Sequence, residues 1–179
     1  MLKTPRLATT QDTDAIISLR LESEEWLHAA GVDQWHDTQR GIGNIRDGIA
    51  SGTTWIVDDP EGGAAGTLTL NGADPDFWKP DEGNGALFLY KFMVQKRWRG
   101  TGLGDELLDW ACARVEEVGR WWLRLDCWRT NTALQRYYMH RGFDHVRTVV
   151  VDGRGSGALF ERAAHIRTAA KHRWMARHP

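Results

Sequence analysis

Two periods divide the chain: apolar residues recur at three- and four-residue steps in some stretches, as on one face of a helix, and run together or alternate in others, as in strands. Residues 3–8 read as a short first strand. Thr9, Thr10, Gln11 and Asp12 then supply helix-starting side chains ahead of Ile16, Ile17, Leu21 and Trp26, and Gly31 ends that helix. Ile42, Ile45 and Ile49 keep helical spacing, but Gly41, Gly43 and Gly48 weaken the helix that carries them and predict a short one. Residues 53–57 and 65–70 flank an Asp-Asp-Pro-Glu-Gly-Gly turn and read as an antiparallel hairpin. A polar loop over 71–85 leads to 86–94, a strand apolar on both faces and so predicted to be central. Leu103, Leu107, Leu108, Ala111 and Val115 make a helix buried through one face, ended near Gly119. A fifth strand over 121–127, a helix over 131–141 closed by Gly142, and a last hairpin from 143–151 and 158–161 complete a mixed order without internal repeats.

Length and composition narrow the class. The chain of 179 residues fits one domain of ordinary size, and 41% hydrophobic with 26% charged residues of nearly balanced sign describes a soluble globular protein. The first twenty residues lack an apolar block of leader length, and no apolar run approaches the roughly eighteen residues that a membrane span needs. No membrane partner is expected, and a cytoplasmic setting follows. Cys112 and Cys127 match no metal-ligand spacing, so buried, reduced thiols and no metal are expected. Ten tryptophans stand out. So does the stretch 163–179, which carries Arg167, Lys171, Arg173 and Arg177 and no acid after Ala163. No folded reading motif accompanies these cations, so a solvated or oligomer-packing tail is expected and nucleic acid is not.

One junction carries chemistry. The central strand runs into Gln95-Lys96-Arg97-Trp98-Arg99-Gly100-Thr101-Gly102-Leu103-Gly104, and a helix follows at once. The first N–H groups of a helix lack partners inside it, and the macrodipole adds about 0.3–1 kcal/mol for an anion placed there. Glycines let the backbone approach such an anion closely, and Arg97 and Arg99 supply charge beside the donors. No Gly-Lys-Ser/Thr follows, which excludes a Walker loop, and Gly-Thr-Gly-Leu-Gly lacks the spacing of a dinucleotide fingerprint.

The order Arg97-x-x-Gly100-x-Gly102 after a central strand resembles the acetyl-CoA pyrophosphate motif of the GNAT acetyltransferase superfamily. A second segment, residues 131–143, is similar to the superfamily's later motif: Asn131, then Tyr138 seven residues on, then Gly142-Phe143. The resemblance implies an α/β (α+β type) fold with a mixed, mostly antiparallel central sheet of six to seven strands flanked by helices. It spans a single domain over 1–162, with 163–179 as a basic C-terminal tail. It further implies that the main chain from Arg97 through Arg99, Gly100, Thr101, Gly102 and Leu103 to Gly104 holds the pyrophosphate. Met93 and Val94 would line the acetyl and pantetheine arm, with an N–H near Val94 polarising the thioester carbonyl. Asn131 would contact the coenzyme, and Tyr138 would protonate the leaving thiolate. Tyr137 takes a position that is often aliphatic in the superfamily.

The reaction so implied is direct attack of an amine on the thioester, with the oxyanion held by backbone donors. A lysine-like amine costs roughly 4–5 kcal/mol to deprotonate at pH 7, so a base is wanted. Asp126, at the end of the fifth strand, is the first candidate; a structural cap is its bland alternative. Glu25, Asp33, His36 and Asp76 are weaker candidates, and a water relay would need no single base. Cys127 is a poor nucleophile beside Asp126, whose charge raises the thiol pKa. Asp33-Gln34-Trp35-His36-Asp37 and Asp74-Pro75-Asp76-Phe77-Trp78, with Asp81 and Glu82, mix carboxylates with rings. That would suit a cationic amine, or would equally describe solvated loops anchored by tryptophan. The expected acceptor is a primary amine of a small molecule, because little beyond the core is left to grip a protein. A protein N-terminus or lysine, or a non-catalytic acetyl-CoA-binding module, are the alternatives. A homodimer stays open, since nothing specifies an interface.

Overall fold

The computed structural model describes residues 4–35, 37–80, 82 and 84–168. Its elements are β1 (Arg6–Leu7), α1 (Thr13–Ala29), α2 (Thr38–Ala50), β2 (Thr54–Asp58), β3 (Ala64–Asn71), β4 (Ala86–Val94), α3 (Leu103–Glu117), β5 (Trp122–Trp128), α4 (Thr132–Met139), β6 (Asp144–Thr148) and β7 (Ser156–Ala163). The seven strands form one sheet in the order β1-β2-β3-β4-β5-β7-β6. The hairpins β2/β3 and β6/β7 are antiparallel, and so is β1/β2, although α1 and α2 lie between its two strands in the chain. The pair β4/β5 is parallel, at Ala86↔Trp122, Leu87↔Leu123 and Phe88↔Arg124, and α3 supplies the crossover that a parallel pair requires. The chain divides into two compact units: Met1–Leu70 with Tyr90–Leu103, and Asn71–Leu89 with Gly104–Pro179.

In the first unit, Thr9 and Asp12 form the expected helix start as a capping box, with the Thr9 N–H donating to Asp12 Oδ2 at 2.7 Å. A single 3-10 turn precedes α1. Ile16 and Leu19 of α1 then pack with Ile45 and Ile49 of α2, Ile56 of β2 and Met93 of β4. The helix α2 has 13 residues, longer than its glycines predict. Its glycines answer to close approach instead. A Cβ on Gly41 would lie 2.8 Å from the Arg20 guanidinium carbon, and one on Gly48 would lie 2.5 Å from Thr54 Oγ1. Arg20 is buried in α1 and cannot yield: its Nε donates to Glu24 Oε1 at 2.9 Å, and its guanidinium lies 4.1 Å from the Trp35 ring. Glu24 accepts the Thr38 hydroxyl at 3.0 Å, which fastens the first residue of α2 to α1.

The second unit is built on β5, β7 and α3. Along β5, Leu123, Leu125 and Cys127 are buried while the residues between them are half-exposed, the alternation of a strand covered on one face. Leu107, Leu108, Ala111, Cys112 and Val115 form the buried stripe of α3. Arg162 of β7 is fully enclosed and has acceptors on all sides. It donates to Leu108 O at 2.7 Å, Arg141 O at 3.1 Å, Cys112 Sγ at 3.0 Å and Asp109 Oδ1 at 3.3 Å, over the Phe143 ring. Asp109 also receives the Thr168 N–H at 2.8 Å and its hydroxyl at 3.0 Å. The start of the basic tail is therefore packed on α3 rather than solvated, and Arg167 pairs with Glu116. Lys171, Arg173 and Arg177 lie outside the described residues.

The two glycines nearest the start of α2 should respond to alanine with opposite signs. Gly43 has nothing within 4 Å of a new Cβ, so Gly43→Ala is expected to stabilise by about 0.5–1 kcal/mol. Gly41→Ala meets the pinned Arg20 and is expected to destabilise by about 1–3 kcal/mol, outweighing the helix gain. Urea unfolding of both variants measures this.

Candidate active site

The strand β4 does not end smoothly. Lys91 has φ 49, a left-handed residue inside a strand. After Val94, the Gln95 N–H donates to Ala65 O at 2.9 Å and the Lys96 N–H to Glu22 Oε1 at 2.8 Å. A 3-10 turn over Lys96–Trp98 follows, and then Gly100 (φ 76) and Gly102 (φ 94) carry the chain into α3. Nothing lies within 4 Å of a Cβ at either glycine, so conformation and not crowding demands them there.

The two arginines of this segment differ. Arg97 is paired with Asp59 and Glu61. Arg99 donates through Nε to Val94 O at 3.0 Å and stacks 4.4 Å from the Trp26 ring, while its Nη1 is buried with no hydrogen-bond partner among the described residues. A buried cationic donor left without an acceptor costs energy in an empty site and is satisfied by an anion. Arg99 and the main-chain donors around Gly100 and Gly102 thus fit a diphosphate. Of the coenzyme residues expected from the sequence, Val94, Arg97, Arg99, Gly100, Thr101, Gly102 and Leu103 come together here. Gly104 opens the part of α3 that belongs to the second unit. The Met93 side chain is packed in the first unit's core.

The remaining candidates lie in the second unit. Asn131 caps α4, its Oδ1 accepting the Leu134 N–H at 2.9 Å. Tyr138, 6% exposed, packs edge-on against Phe143 and Tyr137, with ring centroids 5.3 and 5.4 Å apart. Burial pushes its phenol well above the ordinary tyrosine value, and the neighbouring Cys127, Tyr137 and Asp126 add to the shift. Tyr137 is half-buried beneath the Arg141 guanidinium at 3.5 Å and is also raised by burial. Asp126 sits opposite Leu159 in the β5/β7 ladder, on the half-exposed face. Burial, then the Asp126 charge, pushes the Cys127 thiol up to about 12. A thiol so protonated is no nucleophile at neutral pH.

The segments expected to attract a cationic amine are engaged by the chain's own arginines. Asp76 pairs with Arg154 at 2.6 Å and Glu82 with Arg147 at 2.8 Å. The Trp78 ring lies 4.3 Å from the Arg124 guanidinium and 5.0 Å from that of Arg147. In the other segment, Asp37 caps α2 through the Arg40 N–H at 2.9 Å, and Trp35 holds Arg20. His36 and Asp81 lie outside the described residues. Glu25 and Asp33 are exposed. Asp59, which holds Arg97, escaped the sequence reading: its partner is 38 residues away, and nothing marks it off from the neighbouring turn acids. Among the described residues no group of His, Cys, Asp and Glu could hold a metal ion, and no helix is long and apolar enough to cross a membrane.

A mixed sheet whose central strand leads through a turn with two left-handed glycines into the crossover helix, with an arginine nitrogen beside that turn unpartnered among the described residues, fits a coenzyme A-dependent acyltransferase. The profile of the acetyltransferase (GNAT) family matches residues 16–143, and the chain belongs to that family. It is an acetyl-CoA-dependent acetyltransferase, as the sequence motifs implied. It is 28% identical over 142 residues, 76% of this chain and 79% of the relative, to YesJ of Bacillus subtilis (strain 168), named an uncharacterized N-acetyltransferase. A GNAT-family acetyltransferase from Listeria monocytogenes 4b F2365 superposes with TM-score 0.73 at 25% identity, over 89% of this chain and 94% of that one. The yncA protein of Salmonella typhimurium, solved with its cofactor acetyl-CoA, shares the fold at TM-score 0.61 and 18% identity, over 94% and 96% of the two chains.

With its thiol held protonated, Cys127 should take no acetyl group. Incubation with acetyl-CoA and no acceptor is expected to leave the intact mass unchanged, and an acetyl adduct on Cys127 in a peptide map would contradict this.

Proposed function

We propose that the protein moves an acetyl group from acetyl-CoA to a primary amine of a small molecule by direct attack, in the cytoplasm. The observation that carries this reading is the buried Arg99 Nη1, which has no acceptor among the described residues, beside the left-handed glycines at 100 and 102. In this reading residues 97–104 hold the diphosphate, mostly through main-chain N–H groups, and Asn131 adds a contact while it caps α4. The bound thioester supplies the activated acetyl group. The Val94 N–H polarises the thioester carbonyl, which favours charge developing on that oxygen. Tyr138 donates the proton that the departing sulfur needs.

Burial suits Tyr138 to that role. Its raised pKa keeps the phenol protonated up to and beyond the ordinary tyrosine value, so the acid is still present where neutral amine begins to accumulate. Asp126 is the base in this proposal, on the half-exposed face of β5 and close enough to Tyr138 to raise its pKa further. The pairing of Asp76 with Arg154 and of Glu82 with Arg147 supports a small acceptor over a polycationic one, because those two carboxylates are already compensated.

Isothermal titration with acetyl-CoA, followed by thiol release over a panel of amines and peptides, tests the assignment. Turnover on small amines and none on peptides is expected; binding without any turnover would leave only a coenzyme-binding module. Tyr138→Phe is expected to keep acetyl-CoA affinity and to lower kcat by about tenfold or more. The wild-type kcat should show no alkaline fall up to the ordinary tyrosine pKa near 10, because the folded-state pKa lies above it. Unchanged kcat in the Phe variant would remove Tyr138 from the chemistry.

A further inference from the structure

The turn between β2 and β3 holds an acid in an unusual state. Asp59 sits at the tip of a hairpin, where carboxylates are ordinarily solvated, yet its side chain is 0% exposed. A carboxylate so enclosed is tolerated only when its oxygens are fully paired. They are. Oδ2 accepts Arg97 Nε at 2.7 Å and Trp98 Nε1 at 2.8 Å. Oδ1 accepts the Glu61 N–H at 2.9 Å and faces Arg97 Nη2. Its main chain is closed as well, with the Asp59 N–H on Gly63 O at 3.0 Å and the Gly62 N–H on Asp59 O at 2.9 Å.

These donors come from two places: the hairpin's own turn and the two consecutive residues that end the 3-10 turn before Gly100. One buried carboxylate therefore fixes where the glycine segment begins. Arg97 is thereby neutralised by Asp59 and by Glu61, while the neighbouring Arg99 keeps an unpartnered nitrogen. The two arginines divide the work, one holding the loop and the other facing what the loop binds.

We propose that Asp59 is the positioning residue of the coenzyme loop, and that Arg97 acts on affinity through Asp59 and not by touching phosphate. The inference rests on the reading of residues 97–104 as the diphosphate site. It makes a prediction of sign. If Arg97 were a phosphate ligand restrained by Asp59, Asp59→Asn would release it and leave coenzyme binding equal or tighter. As the loop's anchor, Asp59→Asn loosens the segment and weakens binding.

The test is titration calorimetry of the full chain with coenzyme A, and competition with pantetheine, which lacks the diphosphate. Asp59→Asn and Arg97→Gln are each expected to raise the Kd for coenzyme A about tenfold, and the double variant by far less than the roughly hundredfold of independent losses, because both break the same ion pair. Pantetheine binding should not change. Trp98→Phe removes a single donor and should shift the Kd in the same direction by about two- to fivefold, which keeps the test open if Asp59→Asn fails to fold. Equal or tighter binding in Asp59→Asn, or additive losses in the double variant, would overturn the proposal. Gly102→Val is the control for the site itself. If wild type binds and Gly102→Val does not, a null result at Asp59 counts against the anchor alone; if Gly102→Val binds as wild type, the diphosphate site has been misplaced.

Discussion

The structure depends on a shortage at one helix start, where a buried Arg99 nitrogen has no acceptor among the described residues. A helix leaves its first N–H groups unpaired, and here the chain that delivers them turns through two left-handed glycines that expose the backbone. The protein tolerates this shortage because everything around it is held: Gln95 on β3, Lys96 on α1, and Arg97 with Trp98 on the β2–β3 turn. A loop fixed from three sides loses little further entropy when an anion arrives, which is the physical content of preorganisation.

Much of this fold was legible in the pattern of apolar residues. The central strand over 86–94 has the bounds its composition predicts, and the hairpins and the helix after the glycine turn fall within a few residues of their periodic signals. The length of α2 was not legible, because glycine at 41 and 48 looks like helix weakness until Arg20 and Thr54 are seen against it. The left-handed Lys91 and Trp35 carry no sequence signal at all, since neither residue type favours that conformation. The site was legible where backbone does the work, in the spacing of Gly100 and Gly102, and illegible where side chains pair across the chain, as Arg97 does with Asp59. The acid-aromatic segment around Trp78, which by sequence suits a cationic amine or a solvated loop equally well, is met by arginines dozens of residues away.

That last point also accounts for the abundance of tryptophan. Trp26, Trp35 and Trp78 each lie against a guanidinium, of Arg99, of Arg20, and of Arg124 with Arg147. Such contacts add about 0.5–2 kcal/mol each, the higher figure where water is excluded. They also let the chain bring arginine inward without bare charges, since the ring covers one face of the guanidinium while a carboxylate or carbonyl takes its edge.

The seat of Arg162 bears on where this domain can be cut. Asp109 leans on Thr168 as well as on the guanidinium, so the segment following β7 is part of the same polar knot. A shortened polypeptide stopped at residue 162 would strip that carboxylate of two of its donors inside a dry interior, whereas one stopped just past Thr168 would carry the knot whole. A carboxylate on the third helix thus ties down chain that lies several residues beyond the last strand.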